Sequence, residues 1–335
     1  MVSIKDIAAR CGVSVATVSK ALNNHSDISE TTRTHVRSVA DEMGYMPNLA
    51  ARALKTNRTY NLGVLFVDEM HSGLTHEYFS GVLESFKEEA ERRGYDITFI
   101  NRNIGEKAAS YLEHCRYRGV DGLMVANAHF NDPQMLELMA SDLPVVTIDH
   151  VFNNRTSIFS DNIRGMRELV QYVVGMGHRR LAFIHGERTS VTENRLTSFY
   201  KTCYDLNVEV PDAWVLEGVY HDPATCARLT RELLEQPKHP TCIFFPDDFS
   251  ALGGLNVLAA AGLSVPDDIS AVGYDGIYLS QVMAPPLTTY KQDTVRLGTA
   301  AAEQLVNLIE RPKVTLPVQL LVEGTLLKGK TVRQL

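Results

Sequence analysis

The chain has 335 residues, of which 44% are hydrophobic and 22% charged. These proportions exclude a disordered, collagen-like or disulfide-stapled chain and leave room for two or three globular domains. The net charge is −7, and no apolar run approaches the roughly 18 residues needed to span a bilayer. The five cysteines, Cys11, Cys115, Cys203, Cys226 and Cys242, are dispersed and form no C-x-x-C, so neither a disulfide framework nor a zinc knuckle is expected. The N-terminus is charged from its fifth residue and lacks the apolar stretch of a secretory leader, which predicts a cytoplasmic protein.

The charge is unevenly placed. Residues 1–60 carry eight Lys or Arg against five Asp or Glu, a balance of +3, and the remainder carries −10. A basic head on an acidic body fits a polyanion meeting the head alone.

The head reads as three short helices. Ser3 and Asp6 form a capping box before Ile4, Ile7 and Ala8, and Gly12 stops that helix. Ser14 can cap a second helix carrying Val18 and Leu22, and Ser29 a third carrying Val36, Val39, Ala40 and Met43, closed by Gly44. The tight turn at Gly12 is the sequence form of a helix-turn-helix, with a predicted core of Ile4, Ile7, Val18, Leu22, Val36, Val39 and Met43. In such a motif the early residues of the second helix meet base edges in the major groove. Here these are Val15 and Ala16, with Ser14, Thr17, Ser19 and Lys20 beside them. Short apolar side chains can touch a thymine methyl, and Lys20 can donate to guanine or to phosphate. The competing reading places Val15 and Ala16 in the core.

Pro47 and Asn48 then restart a helix over Leu49–Lys55. It is about two turns long and marginal alone, so it would order on a partner. Leu54, flanked by Arg52 and Lys55, has the make-up of a minor-groove wedge with cations for the phosphates. An ordinary linker helix packed on the body is the alternative.

From residue 62 strands alternate with helices, the signature of parallel α/β sheets. Strands are predicted at 62–67, 96–101, 119–125, 144–148, 181–184, 242–245 and 269–273, with helices at 78–93, 107–117, 164–175, 193–206 and 250–261. The pattern restarts near residue 161, which suggests two similar lobes and a cleft beyond the carboxyl ends of the strands.

The ordered run Ile4-Lys5-Asp6-Ile7-Ala8, Gly12-Val13-Ser14-Val15-Ala16-Thr17-Val18-Ser19-Lys20-Ala21-Leu22-Asn23, Ser29-Glu30-Thr31-Thr32-Arg33 and Gly44-Tyr45-Met46-Pro47-Asn48-Leu49-Ala50-Ala51-Arg52-Ala53-Leu54 resembles the head and hinge of the lactose/galactose repressor family. In the body the same resemblance rests on Gly177-His178-Arg179-Arg180, Asp247–Gly253, Val265–Asp275 and Pro286–Asp293. It implies an α/β protein with a helix-turn-helix DNA-binding domain at 1–46, a hinge helix and linker at 47–61, and a two-lobed, periplasmic-binding-protein-like sensor and dimerisation domain at 62–335. Lobe 1 would span about 62–161 and 293–320, and lobe 2 about 162–292 and 321–335. It also implies a homodimer on a pseudo-palindromic operator, contacted by Ser14, Val15, Ala16, Thr17, Ser19, Lys20 and Asn23 in the major groove and by Arg52, Leu54 and Lys55 at the hinge. Lys20 departs from the Arg that many members carry there.

The cleft residues follow from position and from the resemblance together. Asp149 and Asp275 each follow a buried strand, and Arg195 stands near a helix start, where its fork can take two ligand oxygens. By resemblance, Arg195 is the ligand-binding arginine and Asp275 the hydroxyl-binding aspartate. Asp247 replaces a frequent Asn, which favours a donor-rich ligand, and Tyr220 stands where an aromatic often stacks on the ligand. Tyr78 and Phe79 begin a helix facing the cleft. Ser198 replaces a frequent glycine. Against these stand plainer roles: Asp247 or Asp248 as a helix cap, Asp149 as a surface turn, Tyr220 as a body aromatic.

No G-x-S-x-G, H-E-x-x-H or P-loop is present, and a glycoside hydrolase built on the cleft carboxylates would have no use for the basic head. No enzyme activity, metal or cofactor is expected, and the C-terminus shows no leucine heptad for further assembly. The expectation is a ligand-responsive repressor released by a small sugar. The alternatives are a corepressor-type regulator taking a purine or another metabolite, and a plain solute-binding module.

Overall fold

The computed structural model describes residues 2–46, 58–67 and 73–335. The chain divides into two units, residues 1–59 and 60–335. The expected hinge helix, with Arg52, Leu54 and Lys55, lies outside the described residues.

The first unit holds α1 (Ile4–Cys11), α2 (Val15–Leu22) and α3 (Glu30–Glu42). Each begins on a serine: Ser3 closes a full capping box with Asp6, Ser14 accepts from the Thr17 amide, and Ser29 from that of Thr32. Such caps satisfy amides that the first turn leaves unpaired. The core is Ile7, Ala8, Val18, Ala21, Val36, Val39 and Ala40. Ile4, Leu22 and Met43, expected inside, are only partly buried at its edge, and Ala21 takes the interior position instead.

The second unit contains two six-stranded sheets. The first comprises β1 (Asn61–Phe66), β2 (Asp96–Phe99), β5 (Gly122–Asn127), β6 (Val145–Ile148), β7 (Thr156–Ser160) and β13 (Gln319–Val322). They lie in the order β13-β7-β6-β5-β1-β2, all parallel. The second comprises β8 (Leu181–His185), β9 (Val215–Glu217), β10 (Cys242–Phe244), β11 (Ser270–Asp275), β12 (Thr288–Lys291) and β14 (Thr325–Leu327). Their order is β14-β12-β11-β10-β8-β9, parallel except for β14. Central strands such as β5 and β8 are buried almost throughout, as sheets covered on both faces require. Strand order reverses between β1 and β5 in one sheet and between β8 and β10 in the other. Crevices form at such switch points, beyond the strands' carboxyl ends.

The chain passes between the sheets three times: after β7, after β12 and after β13. The last crossing falls at Glu323–Gly324 rather than after residue 320, because Leu321 and Val322 pair with Phe159 and Ser160 in the first sheet. The helix expected over 107–117 is also corrected. Lys107 and Ala108 form β4, hairpinned with β3 (Asn103–Ile104), and the helix spans Tyr111–Arg118. Ser110 and Glu113 make its capping box, so the cap set the start and the apolar pattern did not.

Two helices of the first lobe, α4 (Glu77–Arg92) and α12 (Thr294–Glu310), cross at very short range. A Cβ built at Gly298 would lie 2.2 Å from the Val82 carbonyl oxygen and 2.7 Å from the Phe86 nitrogen. Backbone cannot yield as a flexible side chain can. Gly298→Val should therefore cost about 1–3 kcal/mol through overpacking, despite the better helix propensity of the new residue. Gly175→Ala, where nothing lies within 4 Å, should gain up to about 1 kcal/mol. Urea denaturation of the two variants beside the parent checks both signs.

Candidate functional site

In the head, the serine cap exposes the start of α2. Val15 is 45% exposed and Ala16 is also exposed, so neither belongs to the core. Ser14 is held by the Thr17 amide at 3.0 Å and the Thr17 hydroxyl at 2.9 Å. Lys20 pairs with Asp27 at 2.5 Å, both half in solvent, and the Asn23 side chain donates to the Ser19 carbonyl. Exposed pairs of this kind contribute little and are readily exchanged. The predicted reading surface thus stands free of the core, with one cation loosely held.

In the body, all seven predicted cleft residues, Tyr78, Phe79, Asp149, Arg195, Tyr220, Asp247 and Asp275, line one cavity of about 300 Å³ between the two sheets. They reach it from the carboxyl ends of β6, β9, β10 and β11 and from the starts of α4 and α8 (Ser190–Asp205). A larger depression of about 630 Å³ lies on the outer face between residues 223–235 and 253–261. Its charged members, Arg231 and Glu235, are exposed, so it lacks the buried charge that gives a ligand orientation.

Arg195 is only 4% exposed. Its Nε donates to Asn162 Oδ1 at 2.8 Å and one Nη to the Pro246 carbonyl at 3.0 Å. The other Nη lies 3.9 Å from Asp275 Oδ1. The guanidinium rests 3.5 Å above the Tyr274 ring, with Tyr220 at 5.7 Å. Burial works against its charge, but Tyr220, Tyr274, Asp275 and Asp149 outweigh that and hold it above the usual range. Asp275 is pushed up to about 7, by burial first and against the pull of Arg195. Gln292 Nε2 donates to the same Asp275 oxygen at 2.6 Å.

The carboxylates at other strand ends are engaged as well. Asp149 accepts from the Tyr78 hydroxyl at 2.5 Å and from the Ser160 amide at 3.0 Å, with burial pushing its carboxyl up. It is therefore no surface turn. Asp247 is the cap of α10 (Asp248–Ala260), accepting from the Ser250 amide and hydroxyl, and it also takes the His221 amide. With three bonds on about four lone-pair sites, it retains acceptor capacity while serving as a cap. Tyr220 lies against the cleft with its hydroxyl 2.9 Å from Thr192 Oγ1. Ser198 donates to the Ile163 carbonyl at 2.6 Å, tying α8 to the helix beside it. Three cavity residues, Asp149, Asp275 and His221, have positive φ of 53°, 102° and 57°. Backbone held there costs of order 1–3 kcal/mol per residue and concentrates at ligand clamps.

The sequence reading missed several lining residues. Phe130 and His150 stack at 3.9 Å with their planes 1° apart, and His76 of lobe 1 stacks on His221 of lobe 2 at 4.1 Å. Asn127, Glu187, Ser190 and Gln292 also line the cavity. His76 carried one signal, its place just before a helix start; Gln292 stood within a motif already noted.

Comparison with known proteins agrees with this arrangement. Residues 3–48 match the family profile "Bacterial regulatory proteins, lacI family", and residues 170–332 match "Periplasmic binding protein-like domain". The chain is 34% identical over 315 residues, 92% of each chain, to an HTH-type transcriptional repressor PurR of Histophilus somni. The chain belongs to the lacI family. It is a DNA-binding transcriptional repressor with a ligand-responsive body. Among solved structures, this lacI-family repressor is similar to the Lac repressor dimer bound to operator and the anti-inducer ONPF, with a TM-score of 0.81, 28% identity and 99% of both chains covered. It is also similar to the transcriptional regulator CelR in complex with cellobiose, with a TM-score of 0.71, 26% identity and coverage of 99% of this chain and 100% of the other.

The raised Asp275 of the repressor gives a test that needs no ligand. A carboxyl whose folded pKa lies near 7 and whose unfolded pKa lies near 4 stabilises the fold at low pH, and that contribution is lost as pH rises toward 7. Asp275→Asn removes the titration. Its stability relative to the parent should rise between pH 5 and 8, read from thermal unfolding at stepped pH; a constant difference would contradict the assignment.

Proposed function

We propose that the chain is a homodimeric repressor that holds a pseudo-palindromic operator through Ser14–Asn23 and the 47–55 segment, and releases it when a small neutral sugar enters the cleft. The operator is in the bacterial cytoplasm, and the repressor would act there. The observation that carries the ligand class is the charge balance of the cavity. Among the described lining residues, Asp149, Glu187, Asp247 and Asp275 face one guanidinium, Arg195. Such a wall repels an anion and offers acceptors to hydroxyl donors, with the Arg195 fork for ring and hydroxyl oxygens. Tyr220, Phe79 and Phe130 supply flat apolar faces. The cellobiose bound by CelR is a ligand of this chemistry.

One observation favours a second reading. The aromatic stacking in the cavity wall, Phe130 on His150 and His76 on His221, suits a planar heterocycle as well as a sugar ring. In that reading a nucleobase acts as corepressor and strengthens operator binding.

A thermal-shift panel of glucose, ribose, cellobiose, adenine, guanine and hypoxanthine separates the two. A rise with a sugar alone supports the first reading, and a rise with a base alone replaces it with the second. Arg195→Ala should abolish the shift, and its operator binding, measured by fluorescence anisotropy, should no longer respond to the compound that shifts the parent.

On the DNA side, operator affinity should fall steeply with salt through released counterions. Lys20→Ala then decides what this side chain reads. A phosphate contact predicts a log–log salt slope shallower by about 0.9 at every operator sequence. A guanine contact predicts about 1–3 kcal/mol of lost discrimination at one base position.

A further inference from the structure

Two of the three passages between the lobes end directly on the Arg195–Asp275 pair, and the third reaches it through two tyrosine rings. At the first, Asn162, 4% exposed, opens α7 (Asn162–Gly175) and accepts from Arg195 Nε at 2.8 Å. At the second, Gln292, 3% exposed, follows β12 and donates to Asp275 Oδ1 at 2.6 Å, while its backbone amide donates to the Asp275 carbonyl at 3.1 Å. At the third, the Gly324 amide donates to the Tyr290 hydroxyl at 3.0 Å. The Tyr290 ring lies 5.5 Å from Tyr274, and the Tyr274 ring carries the Arg195 guanidinium at 3.5 Å. Helix α7 presses on both rings: a Cβ at Gly165 would lie 2.2 Å from the Tyr274 hydroxyl and 2.7 Å from the Tyr290 ring. The Asp161 amide also donates to the Val322 carbonyl at 2.8 Å, joining the first passage to the third.

We propose that Asn162 and Gln292 are positioning residues that tie Arg195 and Asp275 to the first two lobe crossings, with Tyr274 and Tyr290 carrying the third, so that the spacing of the pair sets the geometry of all three crossings at once. The inference deepens the proposed ligand site but not the choice of sugar. A ligand oxygen taken by the Arg195 fork changes the pull on Asn162, and a hydroxyl donated to Asp275 competes with Gln292. Both amides are neutral and buried, so each bond has a fixed direction: Asn162 accepts and Gln292 donates. The charged and titratable groups facing the pair are Asp247 and Asp248 from α10, Asp149 and Tyr78 from lobe 1, and Tyr220 and Tyr274 from lobe 2.

The test uses the full chain without any sugar, so a failed ligand panel leaves it intact. Amide hydrogen exchange is measured on the parent, Arg195→Met, Asn162→Leu and Asn162→Asp, at equal global stability set with urea. Arg195→Met and Asn162→Leu should speed exchange about tenfold in peptides covering 160–162, 292–294 and 323–325 while β5 and β10 stay unchanged. Asn162→Asp keeps the acceptor and should stay near the parent. A second reading uses the pH step of Asp275. Gln292→Leu removes a donor to the carboxylate and should move that step above 7, and adding Gln292→Leu to Asp275→Asn should leave the pH profile of Asp275→Asn unchanged. Exchange that rises equally everywhere, or only at the mutated crossing, overturns the proposal. So does a pH step that Gln292→Leu leaves in place.

Discussion

A guanidinium buried between two α/β lobes constrains everything around it. Removing such a charge from water costs several kcal/mol unless every donor finds an acceptor or a ring face. Arg195 meets much of that requirement by donating to Asn162 and the Pro246 carbonyl and lying over the Tyr274 ring, with one Nη 3.9 Å from Asp275. These partners come from three places, the start of α7, the loop after β10 and the end of β11, and each must be registered correctly to deliver them. The parallel sheets supply that register, since their carboxyl ends converge on one cavity. Arg195 stands 3.9 Å from Asp275, beyond hydrogen-bond distance, so a ligand oxygen can engage both. The pair is thus held in place but not closed, the state a binding site requires before its ligand arrives.

Much of this was legible in the chain because it rests on local chemistry. Serine caps marked α1, α2 and α3, and buried apolar runs marked the central strands. Where local signals competed, the cap decided. Residues 107–110 looked helical by composition, yet the Ser110 and Glu113 box started the helix later and freed Lys107 for a hairpin. Arg195 and Asp275 were legible through ordered motif resemblance. His76, His221, Phe130 and His150 were not, since each reaches the cleft from a loop, and their stacking partners lie far away in sequence. Asp247 shows a further limit. Its position announced either a cap or a ligand group, and the structure gives it the cap while leaving it on the cavity wall.

The head follows a different economy. Its core is seven small or medium apolar residues, and three of the seven are alanines. Alanine lets helices approach closely and leaves the first turn of α2 outside the packing. Hence Val15 and Ala16 remain available to a groove although they are apolar, and their exposure is a property of the core beneath them.

The two units also differ in how they can be inherited. The head is one continuous stretch of chain, joined at a single place. Neither lobe of the body is continuous, because the chain threads from one to the other three times. Recombination at one junction near residue 59 can therefore exchange the operator preference of this repressor whole. No single splice can exchange one lobe, and a mosaic cleft would need coordinated breaks at all three passages. Within such a lineage, heads and whole bodies can be re-paired by shuffling, while the cleft of any one body changes its preference by substitution, residue by residue.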